Sequence, residues 1–157
     1  MTSQFWPSLN GNSLQLDTKA HLMMVERWKS ILASISAFSK EIGMPTPSVL
    51  TVTKHQTLTT IQELIDAGLE EIGENRAQSL MERSTSLLQT PKLHYIGMFQ
   101  RRNLSIIAKY ADYVHSFHRP ELAERWAKLA PQTPVFLQVN TSEDPSKAGI
   151  TQEEVGS

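Results

Sequence analysis

"KLHYIGMFQRRNLSIIAKYADYVHSF", residues 92–117, holds the repeating unit of this chain. "KLHYIGM" reads as a strand, "NLSIIAKYA" as a helix and "DYVHSF" as a second strand. The same alternation runs outward in both directions. Upstream, "SVLTVT" (48–53) is a strand by its β-branched content. "LTTIQELIDAG" (58–68) is a helix with Ile61, Leu64 and Ile65 on one face and Gly68 as its C-terminal stop. "LEEIGEN" (69–75) is a short strand, and "RAQSLMERSTSLL" (76–88) a helix. Downstream, "PELAERWAKLA" (120–130) is a helix with Pro120 at its first position, and "TPVFLQVNT" (133–141) is a fifth strand. Strands and helices that alternate every twenty-odd residues, roughly, predict consecutive βα units and a parallel sheet. The sequence holds no internal repeat and no low-complexity segment.

Ahead of these units, residues 1–17 are polar, carry Pro7 and Gly11, and predict a flexible arm. From Asp17 to Ile42 the pattern is helical, with Val25, Trp28, Ile31, Leu32, Ile35 and Phe38 in one apolar stripe, until Gly43 and Pro45 stop it. The expected organisation is an arm over 1–17 and one domain over 18–157.

The composition is that of an ordinary globular chain: 157 residues, 39% hydrophobic, 20% charged, net charge −1. Near-neutral charge gives no reason to expect nucleic acid or an acidic membrane surface as partner. With no cysteine, disulfides, thiolate metal sites and cysteine nucleophiles are excluded. No segment approaches the roughly 18 consecutive apolar residues of a membrane span, and the N-terminus lacks the pattern of a secretory signal. A cytoplasmic protein without membrane association is expected.

Polar groups follow the apolar run at each strand end: Lys54, Glu74 with Asn75, Met98 with Gln100, His118, and Asn140 with Thr141. In parallel α/β folds ligands bind at the carboxyl ends of strands, so these groups predict one site. Lys54 is read either as a solvated strand end or as a placed amine whose partial desolvation lowers its pKa. Asn75 is read as a ligand contact or as the N-cap of the following helix. Lys147 in "SKAG" reads on pattern alone as a solvated loop lysine. Arg101 and Arg102 open a helix, where an anion is favoured, but an exposed arginine pair is the commoner meaning and they stay outside the expected site. His115 and His118 fall on opposite faces of a strand, so no metal site is expected. No Ser-His-Asp spacing and no glycine-rich phosphate loop is present.

The runs "TVTK", "IGENRAQ", "LHYIGMFQ", "VHSF" and "LQVNTSEDPSKAGI", in this order and spacing, resemble the YggS/PROSC family of pyridoxal 5'-phosphate (PLP) homeostasis proteins, which are similar to the barrel domain of alanine racemase standing alone. The resemblance runs from Val49 to Ile150, with the preceding helix matching the family's N-terminal helix. It implies an α/β fold of the (β/α)8 TIM-barrel type, PLP fold type III, here incomplete with about five βα units. The family's last three strands, with the loops that hold the cofactor phosphate, lie outside these residues. By the same resemblance Lys54 matches the Schiff-base lysine, Asn75 an asparagine at the cofactor's edge, and Lys147 a further family lysine. The implied role is a non-catalytic PLP carrier in PLP and amino-acid homeostasis, with PLP as cofactor and partner, no catalytic residue and no turnover. The chain departs from the family at "IGMFQRRN", where Arg102 replaces an asparagine and Asn103 a lysine, and at Gln56, where a second lysine is usual.

Two other readings stand beside it. One is a degenerate relative that no longer binds PLP and acts through protein contacts. The other is a racemase-like PLP enzyme, which needs a second acid–base group that nothing in the chain identifies. A five-unit sheet also exposes a strand at each edge, which predicts self-association.

Overall fold

The structure, a computed structural model, describes residues 11–142, 144 and 146–156. The chain divides into two compact units, residues 1–48 and 49–157. In the first, helix α1 runs Gly11–Glu41. Residues 11–17 of the expected arm are therefore helical, and 1–10 lie outside the described residues. Asn12, Ser13 and Gln15 carry no apolar stripe to announce a helix, yet an established helix extends at one hydrogen bond per residue. Gly43, at φ +67°, ends it as expected, with the Met44 amide donating to the Ser39 carbonyl at 2.9 Å.

In the second unit the elements alternate as the sequence predicts: β1 (Thr51–Val52), α2 (Leu58–Asp66), β2 (Glu71–Glu74), α3 (Ala77–Ser86), β3 (Lys92–Tyr95), α4 (Leu104–Tyr110), β4 (Tyr113–Phe117), α5 (Ala123–Leu129) and β5 (Val135–Leu137). The expected helix from Pro120 begins with a 3₁₀ turn, Pro120–Leu122, before α5. Gly68 follows α2 at φ +102°, its amide donating to the Ile65 carbonyl at 2.9 Å.

All neighbouring strands are parallel and their order is β1-β2-β3-β4-β5. Each crossover thus steps one strand in the same direction, and crossovers of one hand lay every helix on the same face. This is the winding of a barrel, taken through five strands, and not that of a doubly wound sheet.

The core lies under the helices. Ile61 and Leu64 of α2, Leu80 of α3, Leu104 and Ile107 of α4 and Trp126 of α5 are buried there with Ile72, Leu93 and Val114 of the strands. The pleat sends alternate residues to the other face. The register aligns Gly73, His94 and Tyr113 there, opposite the Ile72–Leu93 row. Among the described residues no helix is long and apolar enough to cross a membrane.

Candidate functional site

β1 runs straight into the turn that carries Lys54. The ladder continues one residue past the strand, the Thr53 amide donating to the Gly73 carbonyl at 3.1 Å, and the turn closes with Gln56 N–H to the Thr53 carbonyl at 3.1 Å. Inside that turn Lys54 is exposed and His55 sits at φ +67°, in the left-handed region that costs an L side chain about 1–2 kcal/mol.

Two side-chain contacts hold the turn from beneath. The buried Thr53 hydroxyl donates to Glu74 Oε1 at 2.7 Å. Arg83 of α3 donates from Nη2 to the Gln56 carbonyl at 2.9 Å and from Nε to Glu74 Oε1 at 3.3 Å. Glu74 and Arg83 are both buried, at 1% and 7% side-chain exposure. A buried pair of this kind is worth little against an apolar replacement, but removal of one partner leaves a charge without compensation. Both ends of the Lys54 turn therefore rest on one internal ion pair. In the sequence Glu74 stands out only as a strand-end group, and nothing in the spacing of Thr53 and Arg83 says that they meet it.

Asn75 leaves β2 exposed, level with the turn on the neighbouring strand. It is not the helix cap. Arg76 holds the N-cap position of α3 in extended conformation, and no side chain caps the helix. The next loop presses against Asn75 from the other side: a Cβ placed on Gly97 would lie 2.0 Å from the Asn75 carbonyl oxygen. Gly97 in turn accepts a hydrogen bond at its carbonyl from the buried Ser116 hydroxyl. Asn75 also borders a cleft of about 310 Å³ between the loops after β2 and β3.

The helix-free face of the sheet carries a second cluster. His94 Nδ1 and His115 Nε2 are 2.9 Å apart across β3 and β4. His94 stacks on Tyr113 at 4.6 Å and His115 on Phe136 at 4.6 Å, while Glu71 Oε2 lies 3.8 Å from His94 Nε2. Burial lowers His94 below its ordinary pKa against the pull of the Glu71 carboxylate, and burial lowers His115 too. Spacing along one strand does not reveal the partner of His115, which stands on the next strand and is visible only once the register is known. His118 instead turns its Nδ1 to the Ser116 carbonyl at 2.7 Å.

Lys147 lies elsewhere. The loop after β5 is organised by Asn140, whose Nδ2 donates to the Asp144 carbonyl at 3.0 Å and whose Oδ1 accepts from Ser142 N at 3.0 Å and Ser142 Oγ at 2.7 Å. The loop returns to β5 through Ile150 N to the Gln138 carbonyl at 2.9 Å. Lys147 is exposed on it. Four strand intervals of about 4.8 Å separate β1 from β5, roughly 19 Å along the sheet. The structure thus brings Lys54 and Asn75 to adjacent strand ends and leaves Lys147 at the far edge.

Comparison with known proteins places this geometry among relatives. No family model matches the chain. Over 115 residues, 70% of the chain, it is 32% identical to the pyridoxal phosphate homeostasis protein of Pseudomonas aeruginosa, of which that stretch covers 50%. Over 138 residues it is 31% identical to the protein of the same name from Corynebacterium glutamicum, covering 78% of the chain and 61% of the relative. Among solved structures, PipY of Synechococcus elongatus without PLP matches with a TM-score of 0.71 at 27% identity, over 83% of the chain and 60% of PipY. PipY with PLP bound matches with a TM-score of 0.58 at 26% identity, over 76% of the chain and 57% of PipY. The chain spans about half to three fifths of the length of the relatives it matches.

Proposed function

The chain belongs to the pyridoxal phosphate homeostasis family over the length it spans, and on that premise we propose that it binds PLP through Lys54 and serves PLP and amino-acid homeostasis without turning over a substrate. One observation carries this reading: an exposed primary amine at the end of the first strand, on a turn anchored at Thr53 and Gln56 by the buried Glu74–Arg83 pair. PLP supplies an aldehyde that condenses with amines, and the donor set here suits it. The Lys54 amine is the nucleophile. Its position is fixed by main-chain and buried contacts, and its own side chain is free to reach. Asn75, on the adjacent strand end, is the hydrogen-bonding amide beside it. Gly73, two residues before Asn75 on β2 and opposite Val52, leaves its side-chain space to Leu50 and Ile96, at 3.6 and 3.2 Å from where a Cβ would stand. Lys147, exposed on the loop after β5, is a second amine on the same carboxyl side of the sheet; its role in this reading is to take up or hand on the cofactor.

The test is an absorption spectrum of the protein mixed with PLP, before and after borohydride, beside Lys54→Ala. A visible band that borohydride fixes on the native chain and not on the variant is the expected result. An unmodified Lys54 after reduction, by peptide mass, overturns the assignment and leaves the degenerate relative that works through protein contacts.

The sheet edge favours self-association as part of the same reading. Val135, Phe136 and Leu137 of β5 are all exposed, so an apolar strand stands unpaired on one side. A second copy of the chain is the proposed occupant.

A further inference from the structure

The cleft beside Asn75 is lined from two sides by cations and amides. Arg76 and Gln78 come from the start of α3; Gln100, Arg102 and Asn103 come from the loop after β3. Among the described residues no acidic side chain lines it. Among the described residues neither Arg76 nor Arg102 has an ion pair or a side-chain hydrogen bond to a protein group, whereas the buried Arg83 is spent on Glu74 and the Gln56 carbonyl. Burial raises the Tyr95 hydroxyl above its ordinary pKa, against the pull of the Asn103 side chain and the Arg102 charge, both of which line the same cleft. That hydroxyl donates to the Met98 carbonyl at 3.0 Å and forms the floor. The ten-residue helix α3 opens on the same cleft with no side chain over its amino end. Two guanidinium groups, four amide-bearing side chains and a bare helix start converge without a counter-charge.

We infer that this cleft is an anion site, separate from Lys54, that takes a small phosphate monoester. A phosphate monoester carries about −1.5 to −2 charge at neutral pH, which balances two arginines, and its three oxygens suit bidentate guanidinium contacts together with helix N–H groups. A single carboxylate leaves one arginine unanswered. The volume of about 310 Å³ is at the small end of ligand sites, which suits a small occupant. Arg102, set aside on sequence grounds as half of an exposed pair, acquires a role because the fold brings Arg76 to face it; Arg101 does not line the cleft.

The probe is O-phosphoethanolamine, which has no aldehyde and so cannot attach to Lys54, with inorganic phosphate and acetate as comparison ligands, read by ³¹P line broadening and calorimetry. The expected result is saturable, salt-sensitive binding of O-phosphoethanolamine, displaced by inorganic phosphate and not by equimolar acetate. Arg76→Gln and Arg102→Gln each weaken it about tenfold, as loss of a charge-assisted hydrogen bond does. Both arginines are exposed, and circular dichroism verifies that the variants fold. Lys54→Ala binds the probe as the native chain does, and the double arginine variant still fixes PLP at Lys54 under borohydride, which separates failure here from failure of the Lys54 reading. Absence of saturable binding, displacement by acetate as readily as by phosphate, or affinity unchanged in the double variant overturns the inference. So does joint loss of probe binding and PLP attachment in one variant, since that makes the cleft part of the Lys54 site.

Discussion

His55 is the residue whose backbone is least at ease, and it follows the amine on which the proposed function rests. At φ +67° it occupies a region that glycine enters freely and histidine does not. His55→Gly relieves that strain and loses part of the gain to unfolded-chain entropy, so the expected net is about +0.5 to +1 kcal/mol in urea unfolding. The same change loosens the turn, so PLP attachment at Lys54 weakens while stability rises. An unaltered attachment would show that the strain does not position the amine. The His94–His115 pair gives a second expectation at this scale. Their lowered pKa values mean that the unfolded chain takes up protons before the folded one does. Stability from this pair is complete above about pH 6.5 and is lost as pH falls through the lowered folded values. Urea midpoints taken downward from pH 7.5 should fall below about pH 6.5, and the fall should flatten in His94→Gln/His115→Gln. Lys54 was legible in the sequence because a lysine ends an apolar run. The pieces that hold it were not, because Thr53, Glu74 and Arg83 lie on three different elements and meet only through the β1–β2 register and the packing of α3.

Between elements, the decisive contacts are the ones that bind consecutive strand ends to each other. Glu74 ties the β1 turn to α3, and removing its charge leaves Arg83 buried and alone. Glu74→Gln should cost about 3–5 kcal/mol, measured by denaturant midpoint. Glu74→Leu/Arg83→Met should recover most of that stability, since two apolar side chains pack where two charges stood, yet it leaves the Gln56 carbonyl without its donor. Stability restored without PLP attachment restored is the pattern that separates positioning of Lys54 from simple folding. Gly97 is the corresponding point between β2 and β3. Gly97→Ala puts a carbon where the Asn75 carbonyl already stands and should cost about 3 kcal/mol, or roughly 12–24 °C in melting temperature for a unit of this size. The elements themselves were readable from periodicity, in kind and order. Their lengths were not: "SVLTVT" is a regular strand only over Thr51–Val52 and "TPVFLQVNT" only over Val135–Leu137, with single backbone bonds beyond them at Thr53 and Gln138. An apolar run states that a strand can form, whereas the number of paired residues depends on the neighbour, and these two are edge strands with a neighbour on one side.

Across the 49–157 unit, sequence alternation implied a parallel sheet but left open whether the strands wind in one direction or reverse at a switch point. The observed order settles that in favour of the barrel winding, and with it comes the cost of two open edges. The β5 edge is the more exposed of the two. Val135 and Leu137 are 41% and 47% exposed on a strand whose outer backbone groups, among the described residues, pair only through the Val139–Ile150 bridge beyond it. Burial of such a strand against a second copy removes apolar area and satisfies open N–H and C=O groups at once, so association is favoured by two terms that a surface patch alone does not combine. A lysine on this edge opposes it by desolvation and by like-charge approach across a symmetric contact. Leu137→Lys should therefore shift the mass seen by light scattering toward the 17.7 kDa of one chain, at concentrations where the native sequence is larger. Phe136 is left in place because its ring stacks on His115 and its loss would disturb the inner face as well. If the native chain scatters as a single copy up to millimolar concentration, the edge is protected by its own twist and the bridge to Ile150, and the second copy has no part in the function.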